Sequence, residues 1–306
     1  MQTNTKKKEV VLITGANGHL AKSLSEHLNQ AYKIRYLTTK KKTSKKKNYF
    51  YWDVLNKNID QNALINCTHI IHLAGSSILS RWSKKNKKTM YDSRVKSANL
   101  IFDTCRKINS KPKTFISASA IGIYDQSLEG TINEGALKGS DWLGKMACDW
   151  ENAADKFKEI GCRVIKMRIS LIFSDKAGYL KYNLLSMKFG LGIIIGKKTK
   201  KISWMHVQDI SRFIKKSILD NSFKGAYNLG SKENITQEMF FSKIKQKLFP
   251  YSIIINIPSS FANIILGKRS QIINCDLDID SKKLIKSGFK YEVSSIEQLI
   301  SKLKSN

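Results

Sequence analysis

The amino-acid sequence predicts an α/β fold in which parallel strands alternate with helices. Short apolar segments rich in valine and isoleucine recur along the 306-residue chain, and such segments are typical of strands buried on both faces. Amphipathic, helix-like patterns separate them. A glycine-containing turn joins the first apolar segment to the first helix-like segment. This alternation predicts a Rossmann-like, doubly wound parallel sheet with right-handed crossovers and a smaller substrate lobe near the C-terminus.

The first strand and the turn after it carry the main functional signal. Val10–Ile13 is apolar, Gly15 and Gly18 follow, and a helix is predicted from His19 to about residue 29. Gly15 lets the chain turn sharply, Gly18 lets a pyrophosphate approach the backbone, and the start of the helix attracts that anion. This order predicts a dinucleotide site, with an ordinary β-turn-α corner as the alternative. The predicted cofactor-binding residues of the turn are Gly15, Asn17, Gly18, His19 and Leu20.

The second strand, Lys33–Thr38, is followed by a segment that bears on the choice of cofactor. In a site for NAD, the end of this strand carries an acidic residue that binds the ribose 2′-hydroxyl. Residues 38–47 contain no Asp or Glu but several Lys, Thr and Ser residues. Thr39 and Lys40 are therefore predicted to bind a 2′-phosphate, and NADP is favoured over NAD. A solvated lysine loop is the alternative.

Three further strands extend the predicted sheet. They lie at residues 49–53, 69–75 and 114–120. Asp53 leaves the first of them and can either reach an adenine or cap the next turn. Leu73, Ala74 and Gly75 end the second. Small residues at the carboxyl edge of a parallel sheet leave room for a ligand.

The remaining elements define two predicted domains. Helices are predicted at residues 87–107, 146–160, 207–219 and 236–248, and strands at 164–169, 225–229 and 253–257. The strand at 253–257 is rich in isoleucine and is predicted to be buried. The dinucleotide-binding domain is predicted to comprise residues 8–172 and 200–232. The substrate-side lobe comprises residues 173–199 and 233–306, and its glycine-rich part at 178–196 can close over a ligand.

The amino-acid composition indicates which kinds of partner this protein binds. The net charge is +30, yet only eight of the 54 basic residues are Arg. Nucleic-acid readers favour Arg and interleave aromatic residues, so the charge is interpreted as Lys on solvated helix faces, and no specific nucleic-acid partner is predicted. No apolar run approaches the ~18 residues of a membrane span, so no membrane association is predicted. A small-molecule substrate is expected, and a homodimer is one expected assembly.

The cysteines and histidines argue against a disulfide framework or a metal site. The five cysteines are scattered and never spaced C-x-x-C, which predicts reduced thiols in a cytoplasmic protein. His69 and His72 lie three residues apart without an acidic or cysteine partner. They are interpreted as packing residues, and no metal is predicted.

Several short motifs occur together along the chain. They are Thr14-Gly15-x-x-Gly18-x-x-Ala21, Leu73-Ala74-Gly75, Arg81-Trp82, Ser93-Arg94-Val95, Ser117-Ala118-Ser119-Ala120-Ile121-Gly122-x-Tyr124, Trp204-x-His206-x-x-Asp209, Tyr227-Asn228 and Gly288-Phe289. As a set they resemble the extended short-chain dehydrogenase/reductases. More narrowly, the chain is similar to the epimerase-like NADP-dependent oxidoreductases of the NAD-dependent epimerase/dehydratase superfamily, from Val10 to about Leu303.

The resemblance implies how the cofactor would lie. Gly15 and Gly18 would hold the pyrophosphate of NADP, and Asp53 would lie near the adenine. The Leu73-Ala74-Gly75 segment would pass beside the adenosine ribose. Ser117, in the serine motif, is included among the cofactor-binding residues.

The resemblance also assigns the reacting end of the site. Ser119 matches the catalytic Ser or Thr that binds the substrate oxygen, and Arg168 would sit near the edge shared by nicotinamide and substrate. His206 and Asp209 belong to a motif that supports the wall of the active site, so their role is interpreted as structural.

The chain departs from the family at the catalytic pair. Most relatives carry Tyr-x-x-x-Lys on the helix after the serine strand, where Lys lowers the pKa of Tyr and Tyr moves a proton. Counting back from Glu151, the pair should fall at Leu143 and Ala147, and neither side chain can move a proton. In one hypothesis, Tyr124 does the acid–base work and Ser119 orients the substrate, although Tyr124 can equally pack beneath the nicotinamide.

The other hypothesis is a protein that binds NADP without turnover and acts as a regulator, for example in cell division. The favoured function is an NADP(H)-dependent oxidoreductase or epimerase-like protein acting on a small carbonyl or hydroxyl substrate. Whether the protein is an enzyme is left open between these two.

Overall fold

The computed structural model describes residues 8–305 as an α/β protein. Its strands are β1 (Val10–Ile13), β2 (Lys33–Thr38), β3 (Tyr49–Asp53), β4 (Asn58–Ile59), β5 (His69–His72), β6 (Thr114–Ala120), β7 (Thr131–Ile132), β8 (Arg163–Ile169), β9 (Leu171–Phe173), β10 (Leu191–Ile195), β11 (Lys201–Ile202), β12 (Trp204–His206), β13 (Gly225–Leu229), β14 (Ile235–Thr236), β15 (Ile253–Ile257) and β16 (Asp278–Ile279). Its α-helices are α1 (His19–Leu28), α2 (Lys41–Ser44), α3 (Lys84–Tyr91), α4 (Ser97–Lys107), α5 (Trp142–Asp155), α6 (Gly178–Lys188), α7 (Val207–Leu219), α8 (Gln237–Leu248), α9 (Ser259–Leu266), α10 (Ser270–Asn274), α11 (Lys282–Lys286) and α12 (Ile296–Ser305).

Eight strands form one sheet in the order β13-β8-β6-β5-β1-β2-β3-β4. Neighbouring strands are parallel, except that β4 pairs with β3 in the antiparallel sense at one edge. From β1 the chain runs outward through β2 and β3, and from β5 it runs the other way through β6 and β8. The strand order therefore reverses between β1 and β5. Such a reversal opens a crevice at the carboxyl ends of the strands, where ligands bind in open α/β sheets.

The central strands are buried because both faces of the sheet are covered. All four residues of β1 are buried, and so are the four of β5. Helix α1 packs against α7, and α4 packs against α5. Between α1 and α7, the hydroxyls of Ser23 and Ser211 lie 3.1 Å apart in a buried contact. The predicted Rossmann-like, doubly wound parallel sheet is thus confirmed.

A second hydrophobic cluster lies under the C-terminal elements. It includes the fully buried side chains of Phe173, Trp204 and Phe240, whose rings stack or tilt against one another. Small two-stranded sheets connect this region, among them the parallel pair β10–β15. This cluster joins residues of the predicted lobe with Ile202 and Trp204, which the prediction places in the dinucleotide-binding domain. The domain limits at residues 172, 200 and 232 stay a prediction.

The prediction that residues 253–257 form a buried strand is wrong about burial. The strand forms as β15, but Ile253 is 65% exposed and Ile255 is 39% exposed. Alternate residues of a strand point to opposite faces. Ile254 lies over the buried Gly192, while its neighbours face outward. Isoleucine content alone could not separate a strand covered on both faces from one covered on a single face.

Two helices differ in detail from the predicted ranges. The helix predicted at 87–107 begins at Lys84 and contains a π-helical turn at Asp92–Lys96 between α3 and α4. The helix predicted at 146–160 begins four residues earlier, at Trp142, and ends in a 3₁₀ segment, Lys156–Ile160.

No helix within residues 8–305 combines the length and the apolar character needed to cross a membrane. Within the same residues, no cluster of three His, Cys, Asp or Glu side chains is arranged to hold a metal ion.

Candidate active site at the glycine corner

The turn after β1 forms a cradle that only glycine fits. Gly15 has a φ of +70°, and a Cβ on it would lie 2.8 Å from the carbonyl oxygen of Leu73. Gly18 precedes α1 as its N-cap, and a Cβ there would lie 3.1 Å from the carbonyl oxygen of Gly15. No side chain caps the start of this helix. Its first N–H groups and the helix dipole therefore face the cradle, and this arrangement fits a diphosphate.

Thr14 ties the corner to the end of β5. Its hydroxyl accepts hydrogen bonds from the backbone N–H groups of Leu73 (3.0 Å) and Ala74 (2.9 Å) and donates to Nδ1 of His72 at 3.0 Å. The Nε2–H of His72 is then free to donate to the carbonyl oxygen of Arg94 at 3.2 Å. Burial lowers the pKa of His72 to about 4, so the ring is neutral at pH 7. Its two hydrogen bonds link Thr14 to the backbone of Arg94.

A groove of about 460 Å³ opens from this corner. It runs along the carboxyl ends of the central strands to the start of α5, at the point where the strand order reverses. Six of the predicted site residues line it: Gly15, Gly18, His19, Leu20, Leu73 and Ser119.

Other predicted site residues are not among those that line the groove. They are Asn17, Thr39, Lys40, Asp53, Ala74, Gly75, Ser117, Tyr124 and Arg168. Asn17 is exposed beside the corner, and Thr39 and Lys40 are exposed just beyond β2. Since β2 is the parallel neighbour of β1, these two residues lie at the same edge of the sheet as the corner. Their contact with a cofactor stays a prediction.

Asp53 and Ser117 have partners within the protein. The Asp53 carboxylate accepts from the backbone N–H groups of Leu55 (3.0 Å) and Asn56 (3.2 Å), so it caps the turn after β3. The buried Ser117 hydroxyl donates to the carbonyl oxygen of Ala118 at 2.9 Å. The capping role foreseen as the alternative for Asp53 is therefore present.

Ser119 is oriented by a buried ion pair. Its hydroxyl donates to Oε1 of Glu151 at 2.9 Å. Arg168 binds both oxygens of the same carboxylate, through Nε at 2.8 Å and Nη2 at 2.9 Å. Burial alone would raise the pKa of Glu151, but the hydrogen bonds and charges of Arg168 and Lys166 outweigh it and keep this pKa below its ordinary value. Glu151 is therefore ionised and holds the Ser119 proton on its own side.

The expectation for Arg168 needs correction. Its side chain is 3% exposed and lies behind the groove wall, where it also donates to the carbonyl oxygen of Glu134 at 2.7 Å. Because its guanidinium is engaged by Glu151, the arginine neutralises a buried carboxylate and does not reach the groove edge.

The position of Tyr124 does not support an acid–base role. The side chain is 1% exposed. Its hydroxyl donates to Oδ1 of Asn228 at 2.5 Å and accepts from Nη1 of Arg168 at 2.9 Å. Burial raises its pKa, against the lowering effect of Arg168. Tyr124 thus belongs to the network that supports Ser119 from behind.

The positions of the absent Tyr-x-x-x-Lys pair do face the groove. Leu143 and Ala147 line it, with Met146 and Trp150 from the same helix. Counting back from Glu151 thus identifies two positions on the groove wall, and the side chains at both are apolar.

Arg94, whose role is not predicted from the sequence, also lines the groove. Its guanidinium donates to the carbonyl oxygens of Met90 (3.1 Å) and Ser76 (3.0 Å) and lies 5.2 Å from the Trp150 ring centroid. The Ser93-Arg94-Val95 motif was the available signal. Gly75 has no room for a Cβ, which would lie 3.0 Å from Cζ of Arg94.

Comparison with known proteins supports this assignment of the fold. Residues 11–230 match the model of the NAD dependent epimerase/dehydratase family. The chain is 30% identical over 297 residues to the epimerase family protein YfhF of Bacillus subtilis, covering 96% of this chain and 97% of that protein.

Two solved structures share the fold. One is the human epimerase family protein SDR39U1 (isoform2) with NADPH, with a TM-score of 0.85, 21% identity, and coverage of 97% of this chain and 99% of that chain. The other is UDP-glucuronic acid 4-epimerase from Bacillus cereus in complex with NAD, with a TM-score of 0.67, 16% identity, and coverage of 87% and 94%. Given the family match over most of its length, the chain belongs to the NAD dependent epimerase/dehydratase family.

Proposed function

We propose that this protein binds NADP(H) in the groove and acts as an oxidoreductase on a small carbonyl or hydroxyl substrate. The observation that carries the proposal is the uncapped start of α1 beside Gly15 and Gly18, at one end of a groove that leads to Ser119. The bound nicotinamide would supply or accept the hydride. The chain itself supplies an anion cradle, an apolar wall and one oriented hydroxyl.

The preference for the phosphorylated cofactor rests on the end of β2. Residues 38–47 contain no acid that could accept from a ribose 2′-hydroxyl, while exposed Thr39 and Lys40 can bind a 2′-phosphate. The human structure with NADPH supports this choice, and the Bacillus cereus structure with NAD is the opposing precedent.

Ser119 would accept rather than donate a hydrogen bond. Its proton is directed to the Glu151 carboxylate at 2.9 Å, so its lone pairs remain for the ligand. The groove partner of Ser119 would therefore be a hydrogen-bond donor, either a substrate hydroxyl or the amide N–H of a nicotinamide carboxamide.

A fluorescence titration with NADPH and with NADH tests the proposal. We expect NADPH to bind at least about tenfold more tightly, since a 2′-phosphate paired with Lys adds a charge-assisted hydrogen bond. Lys40→Glu should remove most of that preference, while the same change at the exposed Lys247 (Lys247→Glu) should not. Equal affinity for the two cofactors, or no saturable binding of either, would contradict the proposal.

A second function is favoured by the apolar wall at Leu143 and Ala147. With no side chain there to move a proton, the protein can also be an NADP-binding regulator without turnover. A screen of sugar, ketone and quinone substrates separates the two. Oxidation of NADPH in the presence of any of these substrates supports the oxidoreductase. NADPH that stays reduced with all of them supports the regulator.

A further inference from the structure

We propose that the hydride acceptor is a planar conjugated ring, of the quinone or isoalloxazine class, stacked at the tryptophan end of the groove. This inference rests on the proposed oxidoreductase function and names its substrate class. It depends on two independent features, the chemistry of the groove wall and a pair of indole rings beside it.

The wall around Ser119 offers no proton. Among the described residues that line the groove, only His19 and Arg94 are ionisable. Nε2 of His19 is engaged at 2.7 Å with the Ser174 hydroxyl at the cofactor end. The Arg94 guanidinium is held by two carbonyl oxygens, and arginine keeps its protons. Ser119 directs its proton to Glu151.

This lack of a proton donor in the groove wall distinguishes between two classes of hydride acceptor, simple ketones and quinones. A simple ketone that gains a hydride becomes an alkoxide, which is strongly basic and needs a proton donor in the site. A quinone that gains a hydride becomes a hydroquinone monoanion, whose charge is spread over the ring and which takes its proton from water. The wall therefore suits the conjugated acceptor.

A tryptophan pair adjoins the groove, although neither ring is among the residues that line it. The ring centroids of Trp82 and Trp142 are 5.2 Å apart with planes inclined by 60°. Trp142 precedes the groove residue Leu143, and the indole N–H of Trp82 donates to the carbonyl oxygen of Ile78, another groove residue, at 2.9 Å. Both indoles are half-buried, so each keeps an exposed surface on which a planar ring can stack.

A cation accompanies this pair. Nζ of Lys87 lies 4.6 Å from the Trp142 ring centroid and 5.3 Å from that of Trp82. Lys87 is not among the residues that line the groove around Ser119. Its positive charge beside a stacked ring stabilises the anion that forms when the ring is reduced.

The proposed step is balanced. A bound reduced nicotinamide would supply one hydride, that is one proton with two electrons, to the acceptor ring, which would become the reduced monoanion while the cofactor would be left as NADP⁺. The monoanion then takes one proton from water. No further oxidant or reductant is needed.

Binding of the oxidised acceptor can be measured without turnover. In the presence of NADP⁺, menadione or FMN should quench tryptophan fluorescence saturably. Trp142→Ala should weaken this binding about fivefold, which corresponds to ~1 kcal/mol of ring stacking, and Trp142→Phe should restore most of it. Phe189→Ala, at a side chain that is 81% exposed outside the groove, is the matched control and should leave the affinity unchanged.

Turnover is then followed as NADPH oxidation. We expect menadione, FMN or both to oxidise bound NADPH faster than a simple ketone or a UDP-sugar does. Whichever acceptor is faster identifies the quinone or the flavin as the source of the ring.

Three results overturn the inference. The first is faster oxidation of NADPH by the ketone or the sugar than by either ring compound. The second is an affinity for the acceptor that is unchanged by substitution of either Trp142 or Trp82. The third is no oxidation of NADPH by either ring compound while NADPH still binds. The last result leaves cofactor binding standing. Failure of NADPH itself to bind is a different outcome, which removes the proposed function together with this inference.

Discussion

Glu151 is the residue on which the polar network behind the groove depends. It accepts from Ser119 and from two nitrogens of Arg168, and Lys166 lies 3.8 Å away. Removing one partner of a buried ion pair leaves the other charge without compensation. The orientation of the Ser119 hydroxyl and the stability of the fold are therefore coupled through this carboxylate.

Glu151→Gln should lower the free energy of unfolding by about 3 kcal/mol at pH 7, since it leaves the buried Arg168 charge unpaired. The matched control is Glu297→Gln, in an exposed ion pair with Lys243, which should cost less than about 1 kcal/mol. Urea unfolding of both variants measures the difference. Equal costs would contradict the structural role given to Glu151.

The same pair predicts a pH dependence. Because the folded pKa of Glu151 lies below the ordinary 4.5, its contribution is fully present above that value and is lost as the pH falls through the folded pKa. The gap in stability between the wild type and Glu151→Gln should thus be largest above about pH 5 and shrink on further acidification. A gap that stays constant down to pH 3 would show that the charge of Glu151 is not what stabilises the fold.

At this scale the sequence predicts what is local. Gly15, Gly18 and Ser119 follow from the positions of strand ends and turns. The roles of Arg168 and Tyr124 depend on Glu151 and Asn228, which lie 17 and 104 residues away along the chain. Spacing placed Arg168 at a strand end but could not show that a buried carboxylate would engage it.

Helix α5 is the element that brings Leu143 and Ala147 to the groove. Its start is fixed by Asp141, whose carboxylate accepts from the N–H of Gly144 at 2.7 Å, and by close approach to the preceding loop. A Cβ on Gly144 would lie 2.2 Å from the carbonyl oxygen of Gly139.

Gly144→Ala should therefore push the first turn of α5 away from the loop and cost about 2 kcal/mol or more. The control is Gly122→Ala, where a Cβ meets nothing within 4 Å. Thermal unfolding compares the two variants. If Gly144→Ala melts like the wild type, the close approach of helix and loop is not a constraint.

Helix α7 carries a titratable cap. Nδ1 of His206 accepts from the backbone N–H of Gln208 at 3.4 Å, and burial lowers the pKa of His206 to about 4. The unfolded histidine takes up its proton below its ordinary 6.5, whereas the folded one does so only near 4. Stability is therefore lost as the pH falls from 6.5 to 4.

His206→Asn keeps an oxygen to cap the helix and removes the titration. Over that pH interval, its stability should fall less steeply than that of the wild type, by up to ~1.4 kcal/mol per pH unit for the one proton removed. Chemical unfolding at several pH values checks this. Parallel slopes for the two proteins would mean that His206 is not buried in the neutral form.

Element types were predictable where periodicity was strong, as in β1, β6 and α7. The burial of each element was less predictable. The isoleucines of β15 read as a buried strand, but their exposure depends on which parts of the lobe pack against the β10–β15 pair. The π-helical turn at Asp92–Lys96 has no signal in the apolar pattern.

For the whole molecule, the strand order reverses between β1 and β5, as it does in doubly wound sheets. That topology places the glycine corner and Ser119 at one edge of the sheet, and it could be predicted from the alternation of strands and helices. The packing of the C-terminal lobe could not, since it depends on contacts between distant segments. The expected cytoplasmic location, homodimer and lack of a specific nucleic-acid partner stay predictions.

A crystal structure of the protein grown with NADPH tests the central claim most directly. We expect density for the diphosphate over Gly15 and Gly18, within hydrogen-bonding distance of the first N–H groups of α1, and density for the 2′-phosphate beside Thr39 and Lys40. Density for the dinucleotide elsewhere on the protein, with the glycine corner occupied by water alone, would contradict the account.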